Sequence, residues 1–348
     1  MKRYVFIVMN ICNIGGSEQY VYNKIQYLEN KGFRIYVFSG MRGKILISDL
    51  NKFQNLIIPS VMYSPNCFSK REITQTIDKM RKYIGYNFSE NEKVIIESDG
   101  VDEAKWGELL ASKYNCRHII FNMQEVHDYS DAEIAFLRFK YGRKELAGIS
   151  ESSVSKMLKD PNIIVYPQNI INAYCSNVVD DVENNFLPFI LPERFLTIGS
   201  IGRLEKPFVI PMLKELCIYF NIHHDKTYNL ILIGGTSESK VISVIKSIIK
   251  KCTNVNLVIT GILYPIPREL LNLVDLFIST SGSADVSYYE NRPTIKVHPV
   301  SGKPVGIMGY SFNVETDSMF NELSDVTIID MINQIVEQKI FDSIKKDN

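Results

Sequence analysis

Short apolar runs alternate with longer stretches of helical period along almost the whole chain. Tyr4–Met9, Arg34–Ser39, Lys93–Glu97 and His118–Asn122 are apolar enough to read as strands buried on both faces. Ile45–Ile47, Leu56–Ile58, Leu146–Ser150 and Ile163–Tyr166 are shorter candidates of the same kind. Ser17 reads as a helix N-cap. Beyond it Tyr20, Val21, Ile25 and Leu28 recur at helical spacing until Lys31-Gly32 ends the helix. Further helical patterns cover 71–83, 103–114 and 132–140, and another is capped near Ser152. Residues 178–193 break this rhythm, being acidic, aperiodic and holding two prolines. The alternation then restarts. Phe195–Ile201, Asn229–Ile233, Val255–Thr260, Asp275–Ser279 and Thr294–His298 read as strands. Helices are expected over 210–219, 240–251, 269–273 and 331–345.

Strands alternating with helices predict an α/β protein with parallel sheets. The expected organisation is an N-terminal Rossmann-like domain over 1–177, a linker over 178–193, a second Rossmann-like domain over 194–330 and a C-terminal helix over 331–348. A length of 348 residues suits two such domains. A hydrophobic share of 45% excludes disorder as a description of the whole. Lys+Arg 39 balances Asp+Glu 39, so no strong field favours nucleic acid. The charge is uneven, however: residues 1–85 hold 13 basic against 5 acidic side chains. That basic first quarter suits an anionic partner or an acidic membrane surface, and equally a solvated face. Arg138-Phe139-Lys140-Tyr141-Gly142-Arg143-Lys144, and Lys79, Arg81 and Lys82 on a helix, are the candidate contacts. The six cysteines form no C-x-x-C, and Cys116 with His118 is the one close Cys/His pair, so neither a zinc site nor a disulfide framework is expected. No apolar run reaches the roughly 18 residues of a spanning helix. The expected location is the cytoplasm, with the inner face of the membrane within reach.

In open parallel sheets, ligands bind beyond the carboxyl ends of the strands. The loops that follow strands therefore carry the candidate chemistry. Gly15 and Gly16 follow the first strand and open a helix, an arrangement that admits an anion or a tight turn. Gly234 and Gly235 follow NLILI in the second half, and Ser281, Gly282 and Ser283 follow DLFIS. Such small-residue turns form anion nests, although each alone also reads as a plain turn. Arg203 and Lys206 follow the first strand of the second half, where they either reach a phosphate or leave Arg203 paired with Glu205. His127, between Glu125 and Asp128, stands beyond a strand end and is placed for polar work in a cleft. Neither the dinucleotide glycine fingerprint nor the P-loop occurs. No strict D-x-D occurs, and the nearest run, Asp181-Val182-Glu183, falls in the expected linker.

The order of these features resembles the GT-B glycosyltransferases of family 4. NIGGSEQYVYNKIQYLENKGFRIYVFS resembles their N-terminal stretch, and SIGRLEKP the opening of their donor domain. LILIGG, NVNLVITGIL, VDLFISTS and SGKPVGIMG resemble the strands that follow, VHD the cleft histidine, and LAGISESS with IIVYPQNII the strand pair before the linker. The resemblance implies two Rossmann-like domains facing across a cleft. It implies sugar transfer from a nucleotide-diphosphate sugar, with retention and without a bound metal or other cofactor, in bacterial surface polysaccharide or glycoconjugate synthesis. The acceptor would be a glycan or a lipid-linked glycan. Arg203 and Lys206 would take the leaving charge, and His127 would lie near the transferred sugar. Gly15, Gly16, Gly234, Gly235, Ser281, Gly282 and Ser283 would line the donor. The family carries two glutamates with seven residues between them before a G-x-P-V segment. With Gly302-Lys303-Pro304-Val305 taken as that segment, Val297 stands in the second glutamate's place, and Glu290 or Asp285 becomes the substitute. That departure motivates two further readings: a non-catalytic GT-B protein assisting a partner transferase, and a nucleotide-sugar epimerase.

Overall fold

A computed structural model describes residues 2–85, 93–124, 128–171, 178–179, 191–313, 317–337 and 340. Contacts divide the chain into two units, Met1–Cys175 and Ser176–Asn348. Unit 1 holds β1 (Lys2–Val8), α1 (Gly16–Asn30), β2 (Phe33–Ser39), β3 (Gln54–Ile57), α2 (Lys70–Ile84) and β4 (Lys93–Ser98). It continues with α3 (Val101–Tyr114), β5 (Arg117–Asn122), α4 (Asp131–Gly142), β6 (Leu146–Gly148) and α5 (Glu151–Met157). Its sheet runs β3-β2-β1-β4-β5-β6, parallel throughout. The chain winds outward from β1 in one direction and then restarts at β4 in the other. The switch point therefore lies between β1 and β4.

Unit 2 holds β7 (Val178–Val179), β8 (Leu196–Ile201), α6 (Val209–Ile222), β9 (Tyr228–Ile233), α7 (Ser239–Ile249), β10 (Val255–Ile259) and β11 (Ile266–Pro267). Then come α8 (Arg268–Asn272), β12 (Leu276–Ser279), α9 (Ser281–Tyr289), β13 (Thr294–Val297), β14 (Pro304–Ile307) and α10 (Ile328–Glu337). Its sheet runs β10-β9-β8-β12-β13-β14, with only β14 antiparallel and the switch point between β8 and β12. Central strands such as β8 and β9 are buried at every position, as their unbroken apolar sequence requires.

Several expectations change. Ile45–Ile47 forms no strand: Ile45 and Ile47 are buried anchors of a loop, and the edge beside β2 is taken by β3. Ile163–Tyr166 runs along the far edge without a ladder, where Ile170 alone bridges to Gly148. The N-caps fall at Gly15 and Ser150 rather than Ser17 and Ser152. Val178–Val179, inside the expected linker, pairs with β11, while 180–190 lies outside the described residues. Part of the expected last helix also lies outside them.

The end of unit 1 opposite the switch point is held by a buried ionic network. Lys140 is 0% exposed, and its three ammonium protons meet Glu108 Oε2 (2.7 Å), the His118 carbonyl (3.0 Å) and Glu145 Oε2. Arg143 binds the same two carboxylates. His118 sits between Ser98 Oγ (3.1 Å) and Glu108 (3.3 Å), and burial pushes its imidazole down to about 4, so it is neutral. Trp106, the one tryptophan, is buried beside this network's helix and donates to the Tyr63 carbonyl at 2.9 Å. Lys140→Met leaves Glu108 and Glu145 to the exposed Arg143 and is expected to cost unit 1 about 3 kcal/mol. Urea unfolding followed by Trp106 fluorescence measures it; an unchanged midpoint contradicts the network's role.

Candidate functional site

The carboxyl edge of unit 2 is assembled by close backbone packing of three loops. Gly202, after β8, has φ +143, and its N–H donates to the Ile233 carbonyl at 3.0 Å. Gly234, after β9, has φ +154, and a Cβ there would stand 1.9 Å from the Gly202 carbonyl oxygen. A Cβ on Gly235 would meet Ile262 at 2.8 Å, in the loop after β10. Gly234 and Gly235 let the loops touch where a Cβ would collide, and Gly202 holds a backbone conformation that L side chains rarely adopt. From β12, Ser279 Oγ accepts the Ile201 N–H at 2.9 Å, which ties the two strands at the switch point.

Ser281, Gly282 and Ser283 form the first turn of α9, not an isolated turn as expected. Small residues gave no helical signal there. Ser281 holds φ 52, a left-handed backbone that a non-glycine residue adopts at a cost. Thr280, the N-cap, spends its hydroxyl on the Val297 carbonyl (2.7 Å) and makes no side-chain cap. No acidic residue occupies the first turn of α9. No heavy atom would lie within 4 Å of a Cβ on Gly282, and only Ser283 Oγ, at 3.7 Å, beside one on Gly202. The helix N-terminus thus presents backbone donors to open space, beside Arg203 and Lys206. Arg203 is 57% exposed and pairs with Glu205 at 3.3 Å. Such a pair is worth about 0–1 kcal/mol, so an incoming anion displaces it readily.

The carboxyl edge of unit 1 has the opposite chemistry. Glu18 folds back over Gly15, whose N–H it accepts at 3.0 Å, and a Cβ on Gly15 would lie 2.7 Å from that carboxylate. The glycine expected to admit a ligand phosphate admits the helix's own carboxylate instead. The Glu103 carboxylate lies close over Gly100 at the start of α3, 2.2 Å from where a Cβ would stand, and burial raises it to about 7. All five helices of unit 1 open with an acidic first turn, whereas α6, α7 and α9 have none.

Two other expected residues are placed elsewhere. Glu290 caps the far end of α9 and makes a two-pronged ion pair with Arg268, at 2.6 and 3.1 Å. Asp285, in mid-helix, holds the buried Lys296 at 2.9 Å. Asn291, at φ 56, and Arg292-Pro293 carry α9 into β13, and Gly302–Val305 turns the chain into antiparallel β14. His127 lies outside the described residues. The basic segment 138–144 is largely spent within the fold: Lys140 is buried, Arg143 binds Glu108 and Glu145, and Arg138 donates to the Leu158 carbonyl. Among the described residues, no helix is long and apolar enough to cross a membrane, and no group of His, Cys, Asp and Glu is arranged to hold a metal ion.

Gly234→Ala must push the Gly202 carbonyl away and adopt a left-handed backbone. It is expected to destabilise unit 2 by at least about 2 kcal/mol. A thermal unfolding midpoint within a degree of wild type contradicts the close packing of these loops.

No model of a known protein family matches the sequence, and no curated protein does. Solved structures do. A glycosyltransferase from Rickettsia africae matches over 100% of this chain and 99% of its own, with a TM-score of 0.62 and 13% identity. The Anabaena protein HepE, in complex with UDP and glucose, matches over 86% of this chain and 81% of its own, with a TM-score of 0.55 and 11% identity. A UDP-GlcNAc 2-epimerase from Neisseria meningitidis, bound to UDP-GlcNAc, matches over 99% and 94%, with a TM-score of 0.54 and 13% identity. At these identities the likeness establishes the fold: two Rossmann-like α/β units of the GT-B class.

Proposed function

We propose that the protein is a glycosyltransferase that takes a sugar from a nucleotide-diphosphate sugar and passes it to a glycan or lipid-linked glycan. The observation that carries this reading is the N-terminus of α9: uncapped, free of carboxylates and facing open space at the switch point of unit 2. Backbone N–H groups in that position suit a diphosphate. The solved structures with bound UDP or UDP-sugars support the same class of ligand. In this reading Ser281, Gly282 and Ser283 cradle the diphosphate. Arg203, released from Glu205, and Lys206 stabilise the negative charge that grows as the sugar departs. The backbone N–H groups are fixed before the reaction, so they need little reorganisation at the transition state. Gly234 and Gly235 hold the Gly202 loop in place. Transfer with retention, and a role in bacterial surface polysaccharide synthesis, belong to this proposal as its finer content. Gly15 and Gly16 drop out as donor contacts, because Glu18 occupies that helix end.

A second reading, a nucleotide-sugar epimerase, is favoured by the likeness to the Neisseria enzyme. It predicts alteration of the donor sugar with no acceptor present, which proton NMR of a UDP-sugar incubated with the protein detects.

Thermal stability of the full chain, measured with UDP, GDP, ADP and CMP, tests the donor site. One diphosphate at about 100 times its Kd adds about 2.7 kcal/mol to the native state. The melting temperature should therefore rise by several degrees, and Arg203→Ala should remove most of the rise. No shift with any nucleotide, or an identical shift in Arg203→Ala, contradicts the proposal.

A further inference from the structure

In unit 2, α6 and α7 lie side by side on one side of the sheet. Leu213, Leu216 and Phe220 of α6 and Ile245 and Ile249 of α7 enter the same core. The Cys217 thiol donates to the Ile248 carbonyl at 3.5 Å, and the Cys252 thiol reaches the Cys217 carbonyl at 3.8 Å, so the two helices touch. Their outward sides therefore form one surface. On α6 the outward stripe is Lys214, Ile218 and Ile222, spaced by one helical turn. On α7 it is Lys240, Val244, Ser247 and Lys251, with Ser243, Lys246 and Lys250 beside it. Ile218 is 55% exposed, Ile222 59% and Val244 46%. A single aliphatic side chain in water is ordinary, but here three share one two-helix face. The same face is strongly basic. Residues 239–252 hold four lysines and no carboxylate. Among the described residues, none of Lys214, Lys240, Lys246, Lys250 and Lys251 is in an ion pair. The carboxylates around them are turned elsewhere or stand apart: Glu215 accepts the Ile328 N–H, Asp330 caps α10 through Thr327, and Glu337 stands at the end of α10.

We propose that this α6–α7 face docks on an acidic lipid surface, with Ile218, Ile222 and Val244 entering the headgroup layer and the five lysines meeting anionic headgroups. Exposed aliphatic side chains set among unpaired lysines are the chemistry of a helix that lies on a membrane. The long lysine stems pack along the apolar residues while their ammonium groups reach outward. Each lysine near an acidic surface strengthens binding about fivefold. An acidic protein fits the face less well. Protein interfaces are depleted of lysine and enriched in aromatic residues and arginine. The exposed part of α6 and α7 holds neither: Tyr219 and Phe220 are buried, and neither helix contains arginine. The basic segments that the sequence offers for such a contact lie in unit 1, where Lys140, Arg143 and Arg81 are already paired with carboxylates. The proposal uses no residue assigned to the donor, and it stands whether or not a nucleotide binds.

Co-sedimentation of the full chain with vesicles tests this, using phosphatidylcholine alone and phosphatidylcholine mixed with phosphatidylglycerol. Binding should require phosphatidylglycerol and should fall about tenfold or more between about 0.05 M and 0.5 M salt. Lys214→Glu combined with Lys251→Glu should weaken it about tenfold or more. Ile218→Gln combined with Ile222→Gln should weaken it about fivefold or more with the charge unchanged. Lys79→Glu combined with Lys82→Glu, on α2 of unit 1, should leave it as in wild type. Thermal melting followed by circular dichroism reports whether each variant folds; if the isoleucine pair does not, the lysine pair decides. No binding to the acidic vesicles, equal binding to both kinds, or binding indifferent to Lys214 and Lys251 overturns the proposal. So does a loss confined to the α2 variant. A dimer in sedimentation velocity that the isoleucine pair abolishes gives the face to a second copy of the chain and overturns it too. Poly-L-glutamate that binds as tightly as the vesicles, without need of Ile218 and Ile222, gives the face to an acidic protein with the same result. The UDP thermal shift is read alongside: its absence removes the donor reading and leaves this inference in place.

Discussion

The start of a helix leaves backbone N–H groups without partners, and something must satisfy them. In this protein the two units solve that requirement in opposite ways at the same topological position. Unit 1 folds glutamates back over glycine N-caps, so that Glu18 and Glu103 occupy the positive ends of α1 and α3. Unit 2 leaves α9 uncapped, with small residues around it and no carboxylate in its first turn. Two sheets of the same winding thereby acquire different electrostatics: backbone donors at one carboxyl edge and carboxylates at the other.

Each edge depends on packing that is not itself chemical. In unit 2, the approach of Gly234 to the Gly202 carbonyl leaves no room for a side chain, so the loop that bears Arg203 is fixed by backbone contact. In unit 1, the Lys140, Glu108 and Glu145 network locks the opposite ends of β5 and α4. It also takes Lys140 out of the surface and engages the exposed Arg143 in ion pairs.

Most of the architecture was legible in the sequence because its central strands are buried on both faces and so read as unbroken apolar runs. The exceptions have physical causes. Ile45 and Ile47 are apolar because they are buried, yet buried side chains do not require a ladder partner. The helix α9 was hidden by Ser281-Gly282-Ser283, residues that favour turns when nothing is known of the strand before them. Glu290, which the sequence offers as a substitute glutamate, ends that helix in an ion pair with Arg268. The glycines after β8 and β9 were found by their position, but what they touch was not.

Hydrogen exchange of the full chain with and without UDP reads the contrast between the two edges most directly. The account predicts slowed exchange in peptides covering 202–206 and 280–284, with 15–19 unchanged. Protection confined to 15–19, with the unit 2 loops exchanging as before, would place the anion on the acid-capped helix and contradict the account.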